Sequence, residues 1–149
     1  MAELMRACTH MPDAVICLGS AAYFELLVPD PPSRPTLLVT GHLDPRPMSQ
    51  AICNPIVGTD EDELVVGIVE DVMLGLTVRR TGPARTLVDL ARDSRRRADD
   101  VGVIQAGRRF LDMGGDVEEL FGIAHRLGTT ARARGLLERI ARAPERAGP

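Results

Sequence analysis

Residues 81–92, TGPARTLVDLAR, constrain this chain more than any other stretch. Pro83 suits the first turn of a helix, where its missing N–H leaves no bond unmade. Thr81 or Gly82 stands where a cap belongs. Ala84, Leu87, Val88 and Ala91 recur at helical spacing and give the helix one apolar face. Arg85 and Asp89 lie four apart and pair along the helix, with the cation first, the weaker of the two orientations. The spacing predicts an amphipathic helix joining two halves of a domain. Within it Leu87, Val88 and Leu90 read as structural, and Arg85 reads as an exposed functional candidate.

The halves differ in pattern. Before residue 80 the runs are short and β-branched. Ala2–His10 reads as a helix with Leu4, Met5 and Cys8 inward, ended by Pro12. Ala14–Leu18 reads as a buried strand or extended entry, and Ser20 caps a helix through Leu27 with Ala21, Phe24, Leu27 and Val28 inward. Thr36–Thr40 is a strand. Ala51–Val57 is another, and Pro55 places it at a sheet edge. Thr59–Glu63 is an acidic turn. Leu64–Glu70 and Val72–Val78, joined through Asp71, read as two strands or one irregular helix, their valines and glycines arguing for strands. After residue 92, RDSRRRADD reads as a polar joint. Helices follow over 100–113, from an Asp116 cap to Gly128, and from Thr129 or Thr130 to Ala141, where Ala133, Leu136, Leu137 and Ile140 face inward. Strands first and helices second predict an α+β fold, a small mixed β-sheet from the N-terminal half packed against a helical C-terminal half. One domain spans 1–149, with strands and two short helices in 1–80 and helices in 81–142. A chain of this length buries roughly 70% of its unfolded surface.

Charge is divided along the same boundary. Residues 1–78 hold 3 Arg against 11 acids, a net of −8, and residues 79–149 hold 15 Arg against 10 acids, a net of +5. Every basic residue is Arg, the side chain suited to bidentate pairing with carboxylate or phosphate. Arg79, Arg80, Arg85, Arg95, Arg96, Arg97, Arg108 and Arg109 form a candidate partner or nucleic-acid surface if the central helix and the next lie side by side. Asp89, Asp93, Asp99 and Asp112 interleave with them, and a pI of about 5.6 argues for a salt-bridged helical face instead. Cys8, Cys17 and Cys53 contain no CxxC pair and read as small buried thiols. His42 and Asp44 lack a third ligand nearby, so neither a metal nor another cofactor is expected. No apolar run reaches membrane-spanning length, and the N-terminus lacks the pattern of a secretory signal, so a cytoplasmic location is expected.

TGPARTLVDLAR resembles the "(S/T)PARTLVDLA" segment of the AbiEi family, antitoxins and transcriptional regulators of type IV toxin–antitoxin systems. PDAVICLGSAAYFELL (12–27) is similar to the family's strand leading into an "SA…hGL" helix, where Glu25-Leu26-Leu27 stands here without the glycine. RPTLLVT (34–40) is similar to the strand that follows. GRRFLDMGGDVEELFGIAHRLGTTARARGLLERI (107–140) resembles the family's run of helices. The similarity extends from about Leu4 to Arg142. Only residues 1–11 precede the first similar segment, so the resemblance implies the antitoxin domain without its usual winged helix-turn-helix. It implies a last strand just before the central helix, and a nucleotidyltransferase-like toxin as functional partner in abortive phage resistance, without a required stable complex.

The residue pattern offers no catalytic constellation: there is no GxSxG, Walker loop or GxGxxG, and the paired acids Glu70-Asp71 and Asp99-Asp100 are sequence neighbours that point apart. The expected function is therefore that of a non-catalytic antitoxin-like protein. The alternative is a transcriptional regulator or nucleic-acid-binding module acting through the Arg-rich half. Such binding is phosphate-driven and weakly specific without a recognition helix.

Overall fold

The computed structural model describes residues 2–40, 53–58, 60–97 and 99–142, with the side chains of 40, 55 and 94–97 outside that description. Its sheet is mixed, with strands β1 (Val15–Ile16), β2 (Thr36–Thr40), β3 (Asn54–Gly58), β4 (Ile68–Met73) and β5 (Leu76–Thr81) in the order β3-β2-β1-β5-β4. The central strand β1 is only two residues long. It pairs antiparallel with β2, Val15 opposite Leu38, and parallel with β5, Val15 opposite Arg79. Strand β3 lies at the edge, parallel to β2, where Pro55 is tolerated because one side of the strand needs no donor.

Helix α1 (Ala2–His10) covers one face of the sheet, its Leu4, Ala7 and Cys8 meeting Ile16, Leu37, Val39 and Val78. The opposite face presents Val15, Cys17 and Leu38 to Leu90 of the central helix. That helix, α3 (Pro83–Arg97), begins at the expected proline. The Gly82 carbonyl accepts the Thr86 N–H at 2.8 Å, and the buried hydroxyls of Thr81 and Thr86 lie 2.6 Å apart. Around α3 pack α2 (Leu18–Phe24), α4 (Asp100–Asp112), α5 (Val117–Leu127) and α6 (Ala131–Ala141). Leu87 and Val88 of α3 share the main core with Phe110, Leu120, Leu137 and Ile140. Helices α4, α5 and α6 are capped by the side chains of Asp99, Asp116 and Thr130.

Four expectations need correction. The last hairpin does not turn at Asp71, which pairs with Val78 inside β4; it turns at Leu74-Gly75, both with positive φ (51° and 78°). Two such residues give the tight turn whose twist matches the flanking strands, and Gly75 accepts that geometry without a Cβ. The segment expected to begin that strand, Leu64–Val66, forms a turn instead, following a 3-10 turn at Asp62–Leu64. Helix α2 starts at Leu18 and Ser20 does not cap it; the Ser20 hydroxyl accepts the buried Thr36 N–H at 2.9 Å and so ties α2 to β2. Residues 92–97 are not a joint, because α3 continues through Arg97.

Helix α2 also ends early, at Phe24. Leu26 then adopts φ 61° while the Leu27 N–H reaches back to the Ala22 carbonyl at 2.9 Å, the closure of a helix C-terminus that glycine usually supplies. The position at which the resembling family has glycine thus keeps a glycine-like conformation, borne by an exposed leucine. Residues 41–52, which include His42 and Asp44, lie outside the described residues.

Candidate site: an ion-pair ring beside a cavity

Arg85, Asp89 and Arg92 recur at i, i+4 and i+7 on the flank of α3 next to its apolar stripe. Arg85 is 1% exposed, the largest fully buried side chain described. Its Nε donates to both oxygens of Asp89 at 3.1 and 3.0 Å, Nη1 donates to the Val66 carbonyl at 2.6 Å, and Nη2 reaches Glu63 Oε2 at 3.2 Å. Arg92 closes the circuit, with Nη2 at 2.7 Å from Glu63 Oε1 and Nη1 at 3.4 Å from Asp89 Oδ1. Two guanidiniums and two carboxylates therefore alternate in a closed ring. Burial, aided by the neighbouring Glu63 charge, raises the Asp89 carboxyl above its usual range against the opposing pull of Arg85 and Arg92. Burial also opposes the charge on Arg92, but Glu63 and Asp89 outweigh it and the guanidinium holds its proton more tightly than usual.

Gly67 makes this geometry possible. Its φ is 69°, and a Cβ there would stand 2.5 Å from the Arg85 Cβ, so the chain crosses over Arg85 at a position only glycine fits. The ring thereby fastens the acidic segment 60–66 onto α3. Other arginines assist from outside the ring: Arg79 Nη2 donates to the Leu64 carbonyl at 2.8 Å and Arg126 Nη2 reaches Asp62 at 3.4 Å.

Beside the ring opens a cavity of about 370 Å³. Leu18, Leu38, Ile56 and Val57 form its apolar wall, and Glu63, Arg85, Asp89, Arg92 and Asp93 form its charged wall. Cys17 also lines it, its thiol pushed far up by burial and then by the field of Asp89, so it is held protonated. A protonated thiol is a poor nucleophile, and the arginines and carboxylates of the ring neutralise one another. Leu18, which enters α2 here, has φ 47°, a strained value for a side chain of its size.

The eight arginines singled out from the sequence do not form one surface. Helices α3 and α4 do pack side by side, but the strand residues Arg79 and Arg80 point to opposite faces of the sheet. Arg80 pairs with Glu25 of α2 and with Asp71 of β4, and its burial lowers its proton affinity. Arg85 is not the exposed functional candidate expected from its place in the motif; the bond to the Val66 carbonyl and the Gly67 crossing draw it inside. Arg109 donates to the Leu27 carbonyl at 3.2 Å, whereas Arg108 is exposed on α4. Arg95, Arg96 and Arg97 occupy the last turns of α3, with side chains outside the description. Glu63, Arg92 and Cys17 were not singled out from the sequence as site residues. The spacing of 85, 89 and 92 was a usable signal for the helix side of the ring. Glu63 had none beyond the contrast of an acidic run with an Arg-rich half. Among the described residues, no group of three or more His, Cys, Asp or Glu is placed to hold a metal, and no helix is long and apolar enough to cross a membrane.

Comparison of the chain with protein-family models finds no match, and comparison with curated proteins finds none.

Proposed function

We propose that this chain is a non-catalytic, antitoxin-like domain of the cytoplasm that counters a nucleotidyltransferase-like toxin in abortive phage resistance. The observation that carries the reading is the position of the TGPARTLVDLAR helix. It follows directly on β5 and is the element against which α2, α4, α5 and α6 all pack. The resemblance noted in the sequence implies this order: strand into short helix, strand, last strand, motif helix, then a run of helices. The motif's own residues explain why it is spelled as it is. Leu87 and Val88 fill the core, Arg85 and Asp89 lock the acidic segment, and Pro83 starts the helix. A motif used in this way is architectural, and the surface that meets a partner lies elsewhere on the domain. The mutually neutralised ring and the protonated Cys17 favour binding over bond-making chemistry.

The test is co-expression with a nucleotidyltransferase-like toxin encoded beside this chain, read as recovery of growth. Wild type restores growth. Reversal of Arg95, Arg96 and Arg97 to Glu together probes the end of α3; loss of rescue with unchanged circular dichroism locates the acting surface there. Failure of the wild-type chain to relieve any neighbouring toxin refutes the assignment.

A further inference from the structure

Glu63 sits on a strap that runs from Asp60 to Gly67. The N–H groups of residues 63–66 bond locally, to the carbonyls of Asp60, Glu61 and Asp62. Val66 anchors the strap in the main core and Leu64 packs beside Leu38, while arginines hold its polar groups: Arg85 the Val66 carbonyl, Arg79 the Leu64 carbonyl, and Arg85 with Arg92 the Glu63 carboxylate. Each Glu63 oxygen meets a different guanidinium, the arrangement by which two arginines recognise a carboxylate of any origin. Glu63 and Arg92 are 20% and 30% exposed, so the pair lies at the cavity mouth and not behind it. Across the cavity, Ile56 and Val57 of the edge strand remain 37% and 49% exposed, leaving apolar surface opposite a guanidinium pair.

We propose that this cavity is a binding site for a small carboxylate with a short apolar chain, and that Glu63 is its built-in, displaceable occupant. The ligand carboxylate takes the place of the Glu63 carboxylate between Arg85 and Arg92, and its chain lies against Leu38 and Ile56. The exchange is charge for charge. The buried Arg85–Asp89 pair keeps its balance, and Glu63 swings into water. A cation cannot take the place of the Glu63 carboxylate between the two guanidiniums. The site is independent of the toxin-countering reading and stands or fails separately from it.

The probe is hexanoate, titrated into the whole chain by calorimetry and by amide chemical shifts, with acetate and hexylammonium as controls. Wild type binds hexanoate, binds acetate about tenfold or more weakly because the apolar contact is lost, and does not bind hexylammonium. Glu63→Gln, which keeps the shape and removes the competing charge, binds hexanoate about tenfold or more tightly because the self-occupied state no longer competes. Arg92→Ala abolishes binding. Ile56→Asp, at a 37% exposed position in register with Leu38 on the cavity face, also abolishes it, so the comparison holds even if Glu63→Gln fails to fold. No binding of hexanoate by wild type and Glu63→Gln alike overturns the proposal. So do equal affinities for acetate and hexanoate, equal binding of hexylammonium, and binding that survives Ile56→Asp.

Discussion

Arg85→Ala removes the most connected side chain of the protein. The guanidinium is 1% exposed and satisfies the Val66 carbonyl, both Asp89 oxygens and one oxygen of Glu63. Its loss leaves a buried carbonyl without a donor and Asp89 with only the longer contact to Arg92. Breaking a buried ion pair costs about 3–5 kcal/mol, and an orphaned buried acceptor alone costs about 1–3. These overlap and do not add, so the expected loss is about 3–5 kcal/mol. That is comparable with the roughly 2–5 expected for Leu87→Ala in the core. It is also a large share of the roughly 5–15 kcal/mol that holds a domain together. Urea unfolding at pH 7, read by the shift in midpoint at constant slope, measures the loss. The pH dependence gives a second reading. Without its cation, Asp89 is a buried carboxylate with its folded pKa raised further above the unfolded value. Such a group contributes stability that is present below the unfolded pKa and is lost as pH rises through the folded one. The gap between wild type and variant is therefore smaller at pH 4 than at pH 7. A second substitution, Asp89→Leu on top of Arg85→Met, recovers part of the loss by replacing the pair with apolar volume. A cost below about 1 kcal/mol, the range of an exposed ion pair, refutes the buried-anchor account.

Two further outcomes follow from the same coordinates. Leu26→Gly relieves a left-handed backbone that costs a non-glycine residue about 1–2 kcal/mol, offset in part by glycine's greater chain entropy, so a net gain of about 0.5–1 kcal/mol is expected. Leu26 is 70% exposed, so little apolar burial is lost, and a lower urea midpoint for the variant contradicts the φ of 61°. The alkaline limb of stability belongs to the thiols. Burial raises Cys8 from 9.0 to about 11 and raises Cys17 and Cys53 as well, so their contribution is full below about pH 9 and is lost as pH rises toward and past 11. The chain has no lysine and a single tyrosine to blur that limb. Each thiol adds a slope of up to about 1.4 kcal/mol per pH unit; Cys8→Ala should flatten the fall in urea midpoint between pH 9 and 11, and an unchanged fall refutes the assignment.

Local chemistry and periodicity reach part of this fold directly. Pro83 with its apolar positions at helical spacing determined the start and buried face of α3. Asp116, Thr130 and the glycines at 114, 115 and 128 determined where the later helices begin and end. Pro55 marked an edge strand, and the i, i+4 spacing announced the Arg85–Asp89 pair. Composition along the chain determined an α+β fold with its strands early. Contacts between distant segments were beyond its reach. The direction of Arg85 was decided by Gly67 and Val66, about twenty residues earlier in the chain, because only that crossing supplies a buried carbonyl for the guanidinium to fill. The fate of Ser20 was decided by the Thr36 N–H, a donor that capping rules cannot foresee. The hairpin turned at Leu74-Gly75 and not at Asp71, because register with β5 buries Val78 and Thr81 while a run of valines reads alike on both sides of Asp71. The candidate site itself was tertiary: Glu63 meets Arg92 across 29 positions. Opposite charge in the two halves made such a meeting favourable, but only the folded sheet and helix chose which carboxylate reached which arginine.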